Sequence, residues 1–486
     1  MIDIFVGAVI FSIWCITLFF GKGIGLSMFL FIVPITYFII HLLEKNRKQI
    51  NSKAKILIIP IILLASTYFI FNNSFFNTIN IFAIPILVIF MILELFKENI
   101  ELNLGLISKI LEMFFVPLSF MGETFEKLRQ SLEGKFKVNI DSNKDKKIKK
   151  VIKAISITVP IVLVIIVLLS SADEIFGSIF TELLKSVLNG LSQIQLSTTV
   201  IRLFLIICAF IYFLCFFDYI SSRYEKYEES EITKPKVKDN FTIKMIVGTL
   251  NIVYLLFCII QVKSLFMRNV NINYAHYARQ GFFQLMWVSL INLVTILIAK
   301  KSENKDEKNG NKYINSMCLI MIIFTFIILL SSALRMYFYE SVYGYTLLRL
   351  LVYCSLFTEA ILLVPTILYI MDKKVNLAKS YFTIILTIYI CMNFANFDNI
   401  IAKRNVDRYI ETGKIDIHYL KTKTGTDAIN QIMRILEAST DIENVKLDTE
   451  EYLNIVYAEL NEQNMDFRDF NISRIFTKHL IEKRLQ

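Results

Sequence analysis

Histidine is scarce in this chain of 486 residues: His41, His276, His418 and His479 are scattered, with no spacing that suits a shared metal ion. The seven cysteines (Cys15, Cys208, Cys215, Cys258, Cys318, Cys354, Cys391) all lie inside apolar runs, with no CxxC pair and none beside a histidine. Neither a disulfide framework nor a metal site is indicated, and no cofactor is implied. No Ser-His-Asp set and no phosphate-cradling glycine loop is present, so no motif identifies a reaction. No basic stretch precedes the first apolar run, which begins after Met1-Ile2-Asp3. A cleavable signal peptide is therefore not expected, and the first helix is expected to stay. No repeat of solenoid period and no inverted repeat stands out. Strictly alternating apolar runs are missing too, which excludes a membrane β-barrel.

What the chain has instead is apolar sequence. It is 55% hydrophobic and 13% aromatic, with a mean hydropathy of +0.56. Continuous apolar runs of about 17–25 residues, the length a bilayer requires, recur along it. Backbone amides cannot stay unpaired in hydrocarbon, so such runs must be helices. The fold class is all-α, a polytopic transmembrane helical bundle. Eleven spans are expected, near 3–20, 26–43, 56–71, 79–96, 151–170, 200–220, 241–262, 282–299, 314–334, 346–371 and 379–395.

The net charge of +10 could suggest nucleic acid, but its distribution argues for topology. Alternate loops hold 29 Lys and Arg in total against 6 in the other set. By the positive-inside rule the N-terminus is inside and, with an odd number of spans, the C-terminal tail outside. No nucleic-acid partner is expected; the expected partners are membrane lipids and, through the tail, an extracytoplasmic protein.

Four domains follow: 1–96, a four-span bundle; 97–150, a cytoplasmic interfacial helix and basic linker; 151–395, a seven-span core; and 396–486, a soluble helical domain. Leu106–Met121 is apolar, but Lys109, Glu112 and Pro117 argue for an amphipathic helix on the inner leaflet over a twelfth span. Ser171–Thr199 has helical periodicity and is expected to lie on the outer face. The tail has 13 basic and 16 acidic residues, with helix starts expected at Thr426-Asp427 and Asp448-Thr449.

With that topology, polar clusters from distant parts of the chain meet at the outer face. They are Asp173 and Glu174 after the fifth span, Tyr277, Arg279 and Gln280 before the eighth, and Arg335, Tyr339, Glu340, Tyr343 and Arg349 around the ninth-to-tenth turn. Asn393, Asn396, Asp398 and Asn399 follow the eleventh span. Arg335, Tyr339 and Tyr343 are four apart and share a face if the ninth helix extends. Three arginines facing two or three carboxylates make either an ion-pair network or an anion site. For a single Arg or Tyr at a helix end, an interfacial anchor is the ordinary reading; the convergence is what raises a ligand site. In that reading Arg279, Arg335 and Arg349 hold an anion or lipid headgroup with Tyr277, Gln280, Tyr339 and Tyr343, while Asp173, Glu174 and Glu340 orient them. Glu359, near mid-bilayer, is either a coupling residue or a protonated Glu bonded to a neighbouring helix. The protein would then be a transporter or sensor. An enzyme acting on a lipid-linked substrate with Asp173 or Glu340 as base, and an accessory protein docking through its tail, are the alternatives.

SSADEIF (170–176), YARQGFFQL (277–285), YESVYGYTLLR (339–349) and NIIAKRNVDRYIETGKIDIHYL (399–420) together resemble the bacterial membrane families catalogued as domains of unknown function 4173 and 4153, over roughly Ile148 to Leu436. Gln280 stands where the family pattern has Glu, and Tyr345 where it has Leu. The resemblance implies a bacterial plasma-membrane location, multi-pass, and weight on the outer-face motifs; it supplies no reaction.

Overall fold

The computed structural model describes residues 1–46, 51–96, 104–133, 182, 198–222, 240–266, 282–301, 308–371, 374–437, 443–462 and 466–485. Among them the chain is helical, without a strand. Among the described residues nine helices are long and apolar enough to cross a membrane, and Gln284–Lys300 is a shorter apolar helix. These ten match ten of the expected spans. The remaining one, 151–170, lies outside the described residues, as do 171–181 and 183–197 of the expected outer-face helix.

The chain forms two compact units. The first comprises Met1–Phe69, Thr78–Glu231 and Met465–Phe470. Its helices are α1 (Ile2–Phe19), α2 (Leu26–Asn46), α3 (Ile58–Ile70), α4 (Ser74–Leu95), α5 (Leu104–Phe115), α6 (Met121–Glu133) and α7 (Thr198–Ser222), the ends of α3 and α4 excepted. Lipid tails are as apolar as leucine, so helices in a membrane associate by close packing more than by hydrophobic expulsion. Here phenylalanine provides it: Phe38 of α2 lies 5.2 Å from Phe11 of α1 and 5.0 Å from Phe217 of α7, centroid to centroid. Gly7 makes room for that ring, which a Cβ there would strike. Asp218 of α7 is buried, accepting from Thr124 at 2.9 Å and Lys127 at 3.1 Å. Between α5 and α6 the chain tightens into a 3-10 turn at Val116–Phe120. Pro117 is the cause, since it has no N–H to donate and crowds the preceding turn. At 12 residues α5 is about 18 Å long, short of the ~30 Å of a bilayer core.

The second unit comprises Ile70–Asn77, Ile232–Asn464 and Asn471–Gln486. Its apolar helices are α8 (Asn240–Phe266), α9 (Phe282–Lys301), α10 (Lys308–Tyr343), α11 (Leu347–Ile370) and α12 (Leu377–Phe394). Val247, Ile296, Met321, Ile328 and Leu363 are central in their shared core. Asn292 donates across to Thr325 at 3.1 Å and Asn251 to the Met317 carbonyl at 2.9 Å, tying α9 and α8 to α10. Such bonds are worth about 1 kcal/mol in a membrane. The helix α10 runs on to Tyr343, nine residues past the expected end at 334, so the Arg335–Tyr343 segment is helix and not loop.

After α12 come α13 (Phe397–Thr412), α14 (Ile417–Lys423), α15 (Ile429–Glu437), α16 (Glu443–Glu462) and α17 (Ile472–Leu485). Asn396 begins α13 with φ +49°, its side chain accepting from the Asn399 N–H. The start expected at Asp427 is close to the observed α15. The one at Asp448-Thr449 is wrong: α16 begins at Glu443, and Thr449 is buried inside it, donating to the Val445 carbonyl at 2.7 Å. A threonine can satisfy its hydroxyl one turn back along a helix as readily as at a cap, and the sequence pattern does not separate the two.

Candidate functional site

The last turns of α10 and the first of α11 are joined by Gly344, Tyr345 and Thr346. Gly344 has φ +79° and its N–H donates to the Glu340 carbonyl at 2.7 Å, the left-handed close of a helix that glycine reaches without a Cβ penalty. Tyr339 and Tyr343 pack against each other along α10, their rings tilted and their centroids 4.8 Å apart, which realises the face expected from their spacing. The Arg349 guanidinium lies 4.5 Å above the Tyr339 ring and donates to the Gly344 carbonyl. Arg349 therefore points back over the turn.

Two tail helices hold that turn from the other side. Asn405 of α13 accepts from the Tyr345 N–H and donates to the Tyr345 carbonyl, both at 2.9 Å, as an adjacent strand would. The Tyr419 hydroxyl of α14 accepts from the Leu347 N–H at 2.9 Å. Arg408 donates to the Val342 carbonyl, and Arg404 sits 5.9 Å from the centre of the Tyr345 ring. Three guanidinium groups, Arg349, Arg404 and Arg408, thus meet one short turn. Sequence reasoning passed over Arg404, Asn405 and Arg408, although they stand in the NIIAKRNVDRY motif. The available signal was the four-residue spacing of Arg404 and Arg408, which puts both on one helix face.

Glu340, expected to orient arginines, is buried with tyrosines around it. The phenols of Tyr345 and Tyr353 are near enough to its carboxylate to interact with it electrostatically. Burial, and then the Glu340 charge, pushes the Tyr345 phenol up to about 12. Oε2 of Glu340 has no hydrogen-bond partner among the described residues. Arg335 lies on α10 two turns before Tyr343 and is half-buried.

A second polar group lies in the same unit. Asp398 at the start of α13 is buried and accepts from the Asn73 amide at 2.9 Å and the Gly425 N–H at 3.0 Å. Asp427 accepts from the Asn72 N–H at 2.7 Å. Asn471 donates to the Phe71 carbonyl at 2.8 Å. The segment Phe71–Asn73 is therefore bound by tail side chains. Gly425 has no alternative here, because a Cβ would strike the Asn72 carbonyl. Burial, with the Asp427 charge also contributing, raises Asp398 to about 6 in spite of its two donors; burial raises Asp427 as well.

Glu359 in α11 is buried against Ser289 of α9. Ser289 also lies 2.7 Å from the Met286 carbonyl. The Ser289 contact ties α9 to Glu359 on α11.

Asp173, Glu174, Tyr277, Arg279 and Gln280 lie outside the described residues. Among the described ones, no group of three or more His, Cys, Asp or Glu is placed to hold a metal ion.

No curated protein and no solved structure matches the chain. One family model does, described as Domain of unknown function (DUF4153), over residues 58–435. The match starts well before Ile148, where the motif resemblance began, and ends beside Leu436, so it takes in earlier spans as well. The four motifs, the helical spans and this match over most of its length agree: the chain belongs to the DUF4153 family of unknown function.

Proposed function

We propose that this integral membrane protein binds an anionic ligand, a lipid headgroup being the leading chemistry, at the turn between α10 and α11, and that it works as a sensor or transporter-like protein of a bacterial plasma membrane. The observation that carries this reading is the meeting of Arg349, Arg404 and Arg408 at Val342–Thr346. Like charges brought together cost energy unless something offsets them, and carbonyl oxygens offset only part. Each guanidinium has five N–H donors, and the bonds to Gly344 and Val342 leave most of them for a phosphate or carboxylate, which arginine binds in a forked geometry. In this reading Arg335 and Arg279 complete the basic surface, with Tyr277, Gln280, Tyr339 and Tyr343 around it, and Asp173 and Glu174 fix its orientation. The Lys and Arg bias of the loops supports the extracytoplasmic side for it. Sensing is favoured because Asn405 and Tyr419 tie the turn to the tail, so a ligand that shifts the turn also shifts α13 and α14. If ions are moved, Glu359 is the group to couple them.

The competing account is a clasp in which the arginines only fasten helices. Glycerol phosphate binding to the full-length protein in detergent separates the two. Arg349→Gln combined with Arg404→Gln is expected to weaken binding at least tenfold, since charge-assisted hydrogen bonds contribute about 1.5–3 kcal/mol each. A thermal midpoint that falls with no change in binding establishes the clasp and removes the ligand site.

A further inference from the structure

At the other end of α10 the surface is indented. Between α8 and α10 lies a cavity of about 470 Å³ lined by Lys244, Gly248, Asn251, Ile252, Tyr313 and Phe324, among others. Both helices are apolar and long enough to cross a membrane, and among the described residues the groove is open on one side. Tyr313 and Tyr343 are thirty residues apart on one helix, about 45 Å at 1.5 Å per residue. The groove is thus remote from the arginine turn.

Three observations describe an occupant. The lining runs from Lys244 to Leu255 on α8 and from Tyr313 to Phe324 on α10, eleven residues along each helix, or about 16 Å. A bilayer core is ~30 Å thick, so this is the depth of one leaflet. The volume falls in the range of about 300–1,000 Å³ typical of ligand pockets. The chemistry is graded along that depth. Lys244 and Tyr313 stand at one end, where an ammonium can snorkel to a headgroup and a phenol can sit at the interface. Ile252, Leu255, Ile320 and Phe324 occupy the other end. Gly248 keeps the upper part open, since a Cβ there would come within 3.3 Å of the Tyr313 hydroxyl. Lysine recurs nearby: Lys300 of α9 donates to the Asn315 side chain at 3.0 Å, and Lys312 stands beside Tyr313 in the sequence of α10. Part-way down, Asn251 Oδ1 is buried without a hydrogen-bond partner among the described residues, while its Nδ2 is held by the Met317 carbonyl.

We infer that this groove is a binding site for one anionic phospholipid of the leaflet on the Lys244 side, its phosphate at Lys244 and one acyl chain laid between α8 and α10. Basic residues at a membrane surface attract anionic lipid by about 1 kcal/mol each. The apolar lower groove supplies shape for a chain, and the lysine selects the headgroup.

The test is native mass spectrometry of the full-length protein released from micelles with phosphatidylglycerol or phosphatidylcholine. All arms carry Arg349→Gln and Arg404→Gln, so that headgroup binding at the turn does not contribute. The parent is expected to retain one phosphatidylglycerol about tenfold better than phosphatidylcholine. Ile252→Trp, which fills the groove from its exposed wall, removes that lipid; Gly248→Leu does the same from within, and Ile252→Trp answers alone if Gly248→Leu does not fold. Lys244→Gln lowers the preference for phosphatidylglycerol about threefold or more and leaves phosphatidylcholine retention unchanged. Equal retention by the parent and Ile252→Trp, or no preference between the two headgroups, overturns the proposal.

Discussion

Asp398 shows how a single carboxylate can be pulled two ways. Two N–H donors favour its charged form, and removal from water disfavours it; burial wins, leaving the group near 6 where an exposed aspartate has 3.8. The sign of its contribution follows from the shift. Between those two values the folded protein holds a proton that the unfolded chain does not, so Asp398 favours the fold as pH falls through 6 and opposes it above. The upper limit is about 3 kcal/mol, at ~1.4 kcal/mol per pH unit. Thermal unfolding of the wild type and Asp398→Asn from pH 8 to pH 4 should therefore diverge, the wild type gaining relative to the variant below pH 6. Parallel profiles would mean that Asp398 does not carry this proton. None of this was legible in the sequence, where Asp398 was only one of several polar residues after a span. Its partners Asn73 and Gly425 come from far along the chain, and burial is a property of the assembled tail.

At the scale of elements, the spans were legible because hydrocarbon imposes one solution on every long apolar run. Their ends were less so. The ninth span was expected to end near 334, yet α10 continues through Arg335–Tyr343, because tyrosine and arginine are tolerated in a helix at an interface. Only Gly344 ends it. Two glycines with positive φ allow a comparison: Gly344 (φ +79°) and Gly413 (φ +66°). A Cβ on Gly344 would lie 2.5 Å from Asn405 Oδ1 and 2.8 Å from an Arg408 nitrogen, whereas nothing lies within 4 Å at Gly413. Gly413→Ala should cost about 1 kcal/mol from backbone conformation alone, and Gly344→Ala about 2–3 kcal/mol or more, since the Asn405 and Arg408 contacts must also move. Chemical denaturation of the two variants checks the order; equal losses would show that the grip of α13 on the turn contributes little.

For the molecule as a whole, the question is whether the tail is an appendage. In the second unit, buried residues of α13, α15, α16 and α17 form one cluster with Phe76, and Leu347, Leu350, Leu351 and Cys354 of α11 and Tyr389 and Met392 of α12 pack against it. A chain ended at Ala395 would expose those span-end residues. It is expected to lose monodispersity in size-exclusion chromatography and to melt earlier, and a truncated protein as stable as the full chain would mark the tail as separable. The sequence by itself determined the helical membrane class, ten of the span positions now seen as apolar helices, and the family, because length and hydropathy of a run are local quantities that a bilayer reads directly. Only the tertiary structure decided that Arg349 turns back over Tyr339, that Arg404 and Arg408 join it, and that Glu340 faces tyrosines. Those pairings depend on which distant helices pack together, and a charge's partner is fixed by packing and burial, not by its neighbours in the chain.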